Sequence, residues 1–362
     1  MKHIALLLLF LGVFACKKPT VNNETQLFPI TNAVALGDRS IAMHITEPQS
    51  SDYETEFLRC KDLGITAVPF TFFWEFLEPD SGTYNFEPLK MLDIFFPYYN
   101  SEVSLCITPI KYVDRGLPAD LMGKSFSDTI VINRFKTLLD SIYFYLSNTE
   151  LSGLIIGNEI DLYFNQHPSE WSEYKDFYHA ICPYAQQLWN NEVDVGTEVC
   201  RNTLCTLYPT ELQQINQVSD VIAVSYYPID EYFRGKEMTE VESDLDEILQ
   251  LYPTEKIYIE ETGYPTGMHN NSNEVKQSQY INFLFSYWDE HATQIVHIGL
   301  LWLTEISDAD VNTFVEGYGM SGSSELDAFK DYLQTTAFRE YYGSGKNKHG
   351  YFQLIEELKA RQ

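Results

Sequence analysis

The sequence predicts one (β/α)8 barrel of the TIM type, an α/β fold in which eight parallel strands alternate with eight helices. Short apolar runs alternate with amphipathic segments along the chain, and no linker or low-complexity run interrupts them after residue 31. The length of 362 residues accommodates such a barrel, which takes about 250 residues or more. A doubly wound open sheet is the competing architecture, but it usually has a glycine-rich turn after its first strand, and residues 41–48 contain none.

Eight apolar runs have the length and composition of buried strands. The predicted strands are 41–45, 65–70, 103–109, 151–158, 194–199, 221–227, 257–261 and 296–303. The predicted helices between and after them are 54–63, 87–96, 128–146, 169–189, 210–218, 241–251, 273–291 and 352–359. Asp128, Ser169 and Thr210 are residue types that cap helix N-termini. Residues 313–343 are long for a loop after the eighth strand and contain a helical pattern at 325–335, so we expect an insertion over the barrel mouth.

Composition restricts the ligand. Hydrophobic residues make up 44% and aromatic residues 15% of the chain, which supplies a core and argues against disorder. The formal net charge of −28 argues against nucleic acid or an anionic membrane surface as a partner. A neutral ligand fits this charge best.

The N-terminus predicts export and a lipid anchor. Lys2 precedes an apolar run at 4–10 that is too short to span a membrane, and Val13-Phe14-Ala15-Cys16 resembles the lipobox of bacterial lipoproteins. We therefore predict a lipoprotein signal peptide at 1–15, lipidation of Cys16, a polar tether at 16–31 and the barrel at 32–362. The protein would be held at the bacterial cell envelope, on the periplasmic or surface face of the outer membrane, and would contact membrane only through this anchor. A plain secretory signal is the alternative.

The other cysteines and the histidines do not predict a metal site. None of the cysteines is in a CxxC motif, and no histidine pair has zinc spacing. Cys200 and Cys205 would be close enough in sequence to form a loop disulfide in an oxidising compartment. His44, His167 and His269 are in predicted loops or at strand ends, where they could contact sugar hydroxyls, but each is expected to be an ordinary surface histidine. The sequence therefore implies no metal and no cofactor.

Two glutamates end predicted strands. Glu159 follows strand four and Glu261 follows strand seven, three strand–helix units of about 30 residues apart. Alternate residues of a barrel strand point inward, so Glu159 is expected to share the inward phase of Ile155, and Glu261 that of Ile259. Glu260 would then point outward.

A pair of carboxyl groups at a barrel rim can cleave a glycosidic bond. One protonates the leaving oxygen, and the other attacks the anomeric carbon or activates water; a separation of about 5 Å implies a retaining mechanism. The negative charge of one carboxylate would raise the pKa of the other and keep the acid protonated. The alternative is that each glutamate merely caps a helix or pairs with a basic residue at the rim.

The motifs around both glutamates resemble those of clan A glycoside hydrolases. GNE at 157–159 and ETGYP at 261–265 resemble the strand-four and strand-seven motifs of that clan, and ETGYP is also similar to the nucleophile motif of family 17 β-1,3-glucanases. Residues 220–228 match the D-x-I-x-x-S-Y-Y-P stretch of family 53 endo-β-1,4-galactanases. Residues 74–86 look like the W-x-x-x-E-P-x-x-G-x-Y-x-F pattern of several clan A families, such as family 42. Different strands thus point to different families within one clan.

The resemblance implies roles for individual residues. Glu159 would be the general acid/base and Glu261 the nucleophile, with Glu260 as the rival nucleophile. The substrate-binding residues would be Asn158 on the sugar 2-hydroxyl, Tyr227 beside the nucleophile, and Trp302 as a platform for a sugar ring. Trp74 is predicted as a second platform, because sugar rings stack on aromatic planes and Trp74 is among the aromatic residues of the predicted loops. Many clan members place an arginine at the end of strand two, and residues 68–71 offer none.

These observations predict a retaining glycoside hydrolase. It would act by double displacement on a neutral β-linked poly- or oligosaccharide of the galactan, mannan or glucan type. Endo action is the expected mode, and exo action stays open. The missing arginine keeps open a second function, a catalytically inactive glycan-binding surface lipoprotein on the same barrel. A metal-dependent hydrolase is disfavoured, because clustered histidine and aspartate ligands are lacking at the strand ends.

Overall fold

The computed structural model describes residues 27–362, in which a parallel sheet forms a nearly closed barrel surrounded by helices. This is a TIM-barrel-like α/β fold, as the alternation of segments predicted. The signal peptide, Cys16 and most of the predicted tether lie outside the described residues. Phe28, which the sequence placed in the tether, hydrogen-bonds through its backbone to Gln353 on the last helix.

The barrel consists of nine parallel strand segments. They are β1 Ser40–Met43, β2 Ala67–Phe73, β3 Glu102–Thr108, β4 Leu151–Ile156, β5 with its two segments Val195–Gly196 and Glu198–Cys200, β6 Val221–Tyr226, β7 Lys256–Thr262 and β8 Ile295–Leu300. Each strand pairs with its neighbours in sequence, and β1 pairs with β8. The first segment of β5 pairs with β4 and the second with β6, so the sheet is interrupted only at Thr197.

Twelve α-helices accompany these strands in the described chain. They are α1 Tyr53–Leu63, α2 Trp74–Leu77, α3 Glu87–Tyr99, α4 Thr129–Tyr145, α5 Asp161–Phe164, α6 Trp171–Leu188, α7 Pro209–Ile215, α8 Met238–Leu251, α9 Glu274–Glu290, α10 Asp308–Gly317, α11 Leu326–Thr335 and α12 His349–Lys359. Asp128 caps α4, as predicted, by accepting from the Ile130 backbone N–H. Ser169 and Thr210 are not caps, because α6 begins at Trp171 and Thr210 lies within α7.

The barrel interior shows which residues of each strand point inward. Ile155 of β4 belongs to the interior cluster, as its predicted phase required, together with Tyr258 of β7. Tyr258 reaches across the barrel, and its hydroxyl donates to the Ser152 carbonyl of β4 at 3.1 Å. Ile259 instead packs in the shell between strands and helices. The predicted inward phase was therefore correct for β4 and wrong for β7.

A β-bulge at the end of β7 explains why Glu261 nevertheless faces the interior. Ile259 pairs with Val224 of β6, and Glu261 pairs with the next residue, Ser225, so Glu260 is one extra residue in the strand. Such a bulge re-aims the side chains that follow it. Glu260 is itself buried, and its carboxylate accepts from the Ser104 hydroxyl of β3 at 3.2 Å. The prediction that Glu260 points outward was wrong, because simple alternation does not hold across a bulge.

Gly299 of β8 makes room for this bulge. A Cβ atom at Gly299 would lie 1.9 Å from the carbonyl oxygen of Glu260. A side chain and a backbone carbonyl cannot approach so closely, so either β8 or the bulge would have to move. The position of both β7 glutamates therefore depends on the absence of a side chain on the neighbouring strand.

We predict that Gly299→Ala lowers the free energy of unfolding by about 1–3 kcal/mol, the usual cost of overpacking a close-packed core. Urea unfolding followed by circular dichroism measures this change. Gly123→Ala is the matched control, because a Cβ there would have no neighbour within 4 Å. Equal stability of the two variants would contradict the role of Gly299.

Helices α10 and α11 lie between β8 and α12, and we call residues 308–335 the mouth cap. The second of these helices, Leu326–Thr335, agrees with the helical pattern predicted at 325–335. A hydrophobic cluster of its own joins the mouth cap to residues at the barrel mouth, including Tyr227 and Trp302. Within residues 27–362, no helix is both long and apolar enough to cross a bilayer.

Candidate active site

The turn after β4 aims Glu159 into the barrel mouth. Gly157 and Glu159 both have positive φ, at 96° and 40°. A Cβ at Gly157 would lie 2.4 Å from the Tyr174 hydroxyl, so only glycine fits there. Backbone hydrogen bonds from Gly157 to Ile107 of β3, and from Glu198 of β5 to Gly157, fix the turn. The left-handed conformation of Glu159 is costly for a residue with a side chain and is typical of residues held in place for function.

Tyr227, which follows β6, bridges the two glutamates. Its hydroxyl lies 2.9 Å from Oε1 of Glu159 and 2.5 Å from Oε2 of Glu261. These two carboxylate oxygens are therefore no more than about 5.4 Å apart. Burial and the two carboxylates raise the pKa of Tyr227 well above its ordinary value, so the phenol stays protonated and can donate. The structure thus brings together the two glutamates that the sequence selected.

Two further groups contact Glu159. The Tyr318 hydroxyl of the mouth cap donates to Oε2 at 3.0 Å, and the Cys200 thiol lies 3.4 Å from Oε1. Glu159 is only 3% exposed. Three neutral groups, from β5, from the end of β6 and from the mouth cap, are thereby within hydrogen-bond distance of its carboxyl group.

The two glutamates have different surroundings, which matters for their protonation. Burial, and then the charge of Glu261, raise the pKa of Glu159 from 4.5 to about 7, against the opposing effect of its hydrogen bonds. Burial also raises the pKa of Glu261, while the bond from Tyr227 opposes this. The side chain of Glu261 is 18% exposed, and His44 lies 4.0 Å from its Oε1. Burial lowers the pKa of His44 to about 4, so this histidine is neutral near pH 7 and does not pair with Glu261 as an ion.

A second pair of buried acids lies below the first. Glu198 of β5 accepts from the Ser225 hydroxyl at 2.6 Å, and Glu260 lies 3.8 Å from His297. Burial raises the pKa of Glu260 to about 8 and that of Glu198 well above its ordinary value. Glu260 is therefore largely protonated at pH 7, and burial likewise favours the neutral form of Glu198. Glu260 faces the interior but contacts Ser104 rather than the mouth, which leaves Glu261 as the β7 glutamate that lines the cavity.

The cavity between the barrel mouth and the mouth cap has a volume of about 650 Å³. Its walls are mostly apolar and aromatic, and no arginine or lysine of the described chain lines it. Asn158, Thr71 and Gln166 supply neutral polar groups beside the two glutamates. A cavity of this size with a few convergent polar groups is suited to a small neutral ligand or part of a larger one.

The structure places the other predicted site residues as follows. Asn158 and Trp302 line the cavity, and Trp302 packs against Phe314 of the mouth cap with ring centroids 5.9 Å apart. Trp74 does not line it. Its indole is fully buried, donates to Glu78 at 3.0 Å and packs edge-on against Phe135. The prediction that Trp74 binds substrate was therefore wrong, because the short helix α2 turns this side chain into the core.

Three expectations about histidines and cysteines also have outcomes. His44 lines the cavity beside Glu261 and is not a surface histidine as expected. His269 is exposed on the surface, and so is His167. Cys200 and Cys205 are both free thiols, so the possible disulfide is absent. Among residues 27–362, no group of three or more histidine, cysteine, aspartate or glutamate side chains is arranged to hold a metal ion.

Sequence reasoning missed Tyr318 and Cys200 as contacts of Glu159. Cys200 is at the end of β5, where the carboxyl ends of barrel strands face the site, and this position was the available signal. Tyr318 gave only a weak one, because it lies in the segment predicted to cover the mouth, between Gly317 and Gly319. Nothing in the sequence indicated which aromatic residue of that segment would reach Glu159.

Comparison with known proteins shows similarity of fold at low sequence identity. No protein-family model matches the chain, and no curated protein matches it. Its structural neighbours are clan A glycoside hydrolases of families 5, 53 and 39. The family within the clan is not settled by these similarities.

Three of these structural neighbours are described by their similarity to this chain. A family 5 (subfamily 18) glycoside hydrolase from Bifidobacterium longum subsp. longum, in complex with Manβ1-4GlcNAc, has a TM-score of 0.65 and 13% identity over 89% of this chain and 78% of its own. The exo-β-1,4-mannosidase of Opitutaceae bacterium strain TAV5 has a TM-score of 0.62 and 13% sequence identity, and the match covers 94% of this chain and 62% of the mannosidase. The family 53 catalytic domain of Ignisphaera aggregans has a TM-score of 0.62 and 12% sequence identity, and the match covers 92% of this chain and 99% of that domain.

We predict that Glu159→Gln stabilises the protein in a pH-dependent way. Because the pKa of Glu159 is about 7 when folded and 4.5 ordinarily, the folded chain binds more protons between these values, and stability falls as pH rises through this window. Glutamine cannot ionise. The variant should therefore exceed wild type by about 1–3 kcal/mol at pH 8 and by much less at pH 4.5.

Urea unfolding at the two pH values measures this difference. Glu87→Gln is the control, because it removes the same charge from an exposed side chain. A stabilisation by Glu159→Gln that is equal at pH 4.5 and pH 8 would contradict the raised pKa.

Proposed function

We propose that this protein is a retaining glycoside hydrolase that cleaves a neutral β-linked oligo- or polysaccharide by double displacement. The observation that carries the proposal is the bridge made by Tyr227, which keeps oxygens of Glu159 and Glu261 within about 5.4 Å. Carboxyl groups about 5–5.5 Å apart are typical of retaining enzymes, whereas inverting enzymes need about 6.5–9.5 Å to admit a water molecule.

Glu159 is the general acid/base in this proposal. It is the more buried carboxyl group, and its pKa of about 7 leaves much of it protonated near neutral pH. Glu261 is the nucleophile, since its more exposed carboxylate receives a hydrogen bond from Tyr227 that stabilises the charged form. In the first step Glu261 forms a bond to the anomeric carbon, the glycosidic bond breaks, and the proton of Glu159 moves to the leaving oxygen. In the second step water attacks that carbon, gives its proton to Glu159 and releases Glu261.

The neutral lining favours a neutral sugar. The excess negative charge of the protein would repel an anionic glycan. No arginine or lysine of the described chain lines the cavity to bind such a glycan. Galactan, mannan and glucan types all fit this condition. The neighbour in complex with Manβ1-4GlcNAc and the exo-β-1,4-mannosidase make β-mannosides the first to test. Endo action remains a prediction, which the sizes of the products decide: endo cleavage yields internal fragments, and exo cleavage releases one short unit from the outset.

We expect the soluble protein from residue 20 to hydrolyse at least one glycoside in a panel of β-mannosides, β-galactosides and β-glucosides and the corresponding polysaccharides. Glu261→Ala should lower kcat by about 10³-fold or more, because the covalent intermediate cannot form. Glu159→Ala should be slow on poor leaving groups, and azide should restore turnover of an activated aryl glycoside, because a small anion replaces the acid/base in the second step.

Glu260→Ala is the matched control for the neighbouring acid, which lies below the cavity. It should retain far more activity than Glu261→Ala. Binding of a glycan without turnover of any substrate by wild type would instead favour a catalytically inactive glycan-binding protein. That alternative draws support from the absence of an arginine at the end of β2, where Thr71 lines the cavity.

The two tryptophans should behave differently. Trp302→Ala removes a ring from the cavity wall and should raise KM about tenfold, or ~1.4 kcal/mol, with a smaller effect on thermal stability. Trp74→Phe should leave KM unchanged and lower the free energy of unfolding by about 1–2 kcal/mol, since a buried hydrogen bond to Glu78 is lost. Steady-state kinetics and urea unfolding of both variants measure this. A raised KM in Trp74→Phe would contradict its place in the core.

We also propose that the mouth cap is an insertion on the barrel.

We further propose that Cys16 anchors the protein at the bacterial cell envelope. The lipobox-like residues 13–16 support the anchor. Fractionation of cells that express wild type or Cys16→Ser tests it. The wild-type protein should be in the membrane fraction and the variant in the soluble fraction, and identical distributions would exclude the anchor.

A further inference from the structure

Glu159 is held from two sides by two different parts of the chain. Tyr227, at the end of β6, contacts Oε1 at 2.9 Å, and Tyr318 of the mouth cap contacts Oε2 at 3.0 Å. The resemblance to clan A predicted Tyr227 as a residue beside the nucleophile and did not predict Tyr318. The second arises from the segment between β8 and α12, so the mouth cap contributes directly to the surroundings of the acid.

The chain is built to present Tyr318 at this point. Helix α10 ends at Gly317, Tyr318 is its C-cap, and Gly319 turns the chain with a φ of 67°. The ring of Tyr318 packs against Tyr112 and Phe329, with centroids 5.2 and 5.9 Å away. A Cβ at Gly317 would lie 2.7 Å from the Tyr112 ring. Both the position and the orientation of the phenol are therefore fixed by packing.

The hydroxyl of Tyr318 can act only as a hydrogen-bond donor towards a charged Glu159. Burial and the two carboxylates raise the pKa of Tyr318 well above its ordinary value, so the phenol does not ionise. A hydrogen bond to the charged form of a carboxyl group favours that form. Tyr318 thereby opposes burial and the charge of Glu261, the two causes that raise the pKa of Glu159.

We propose that Tyr318 is a positioning residue for the general acid/base, which fixes the Glu159 carboxyl group and favours its ionised form, so that the mouth cap completes the catalytic apparatus. The proposal rests on the hydrolase function proposed above. When Glu159 gives its proton to the leaving oxygen, the Tyr318 bond stabilises the carboxylate that forms. When water attacks in the second step, the same bond holds the carboxylate in place to accept the proton.

Tyr318→Phe tests this role, because it removes the hydroxyl and retains the ring. The alkaline limb of the pH profile of kcat/KM reports the ionisation of Glu159. It should shift to higher pH by about 0.5–1 unit, because the ionised form of Glu159 loses the hydrogen bond from Tyr318. At the pH optimum, kcat/KM should fall about tenfold for an unsubstituted phenyl glycoside, whose leaving group needs protonation. It should change less than twofold for the 2,4-dinitrophenyl glycoside, whose leaving group does not.

Tyr332→Phe is the matched control from α11 of the same cap. The Tyr332 hydroxyl is also buried, but it has no hydrogen-bond partner among residues 27–362. Its removal should leave the alkaline limb where it is in wild type. Thermal unfolding of both variants checks that they fold, and ¹³C NMR of labelled glutamate, with Glu159→Gln to assign the resonance, measures the pKa of Glu159 without turnover.

Three results would overturn the proposal. An unmoved alkaline limb with equal losses on both glycosides would mean that Tyr318 only supports the cap. An increase in kcat/KM with an unmoved limb would mean that its hydroxyl blocks the site. An unchanged Glu159 resonance titration in Tyr318→Phe would exclude the hydrogen bond itself. Failure of the hydrolase function is distinguished from these, because wild type would then turn over no glycoside at all, and the proposal would fall with it.

Discussion

The β-bulge at the end of β7 is the constraint on which the site depends. Without the extra residue, Glu260 and Glu261 would face opposite sides of the strand, and only one of them could enter the barrel. With it, both carboxyl groups face inward: Glu260 contacts Ser104 in the interior, and Glu261 reaches Tyr227 at the mouth. Gly299 on β8 permits this arrangement by lacking a side chain where the Glu260 carbonyl lies. The absence of a Cβ atom at Gly299 of β8 therefore permits the positions of Glu260 and Glu261 on the neighbouring strand β7.

The site concentrates acids without adding a positive charge. Four glutamates are close together in and above the barrel interior, and the described residues that contact them are phenols, serine hydroxyls, a thiol and neutral histidines. In such surroundings burial raises the pKa of each acid and so favours its neutral form. An arginine beside Glu261 would lower these pKa values. Among the described contacts of these acids, hydrogen bonds from tyrosines therefore favour the ionised carboxylates, while burial favours the protonated form.

The mouth cap connects this chemistry to the surface of the protein. Its hydrophobic cluster packs Tyr332 and Phe329 against the mouth, while Tyr318 contacts Glu159 directly. A segment that shapes the cavity thus also touches Glu159, so changes in this segment would alter the shape of the cavity and the acidity of Glu159 together. Loops at the carboxyl ends of barrel strands commonly carry function in this fold. In this protein the cap after β8 supplies a polar contact as well as a wall.

The sequence by itself determined the alternation of strands and helices, the two strand-end glutamates and the tyrosine between them. These features are local: apolar periodicity, strand length and short motifs are written in consecutive residues. Tertiary structure decided what depends on distant contacts. The bulge that turns Glu260 inward follows from register with β6 and β8, and Trp74 was taken into the core by packing against Phe135. Tyr318 reaches Glu159 across 159 positions of sequence. No local pattern encodes such a contact, because it exists only once the barrel has closed and the cap has packed upon it.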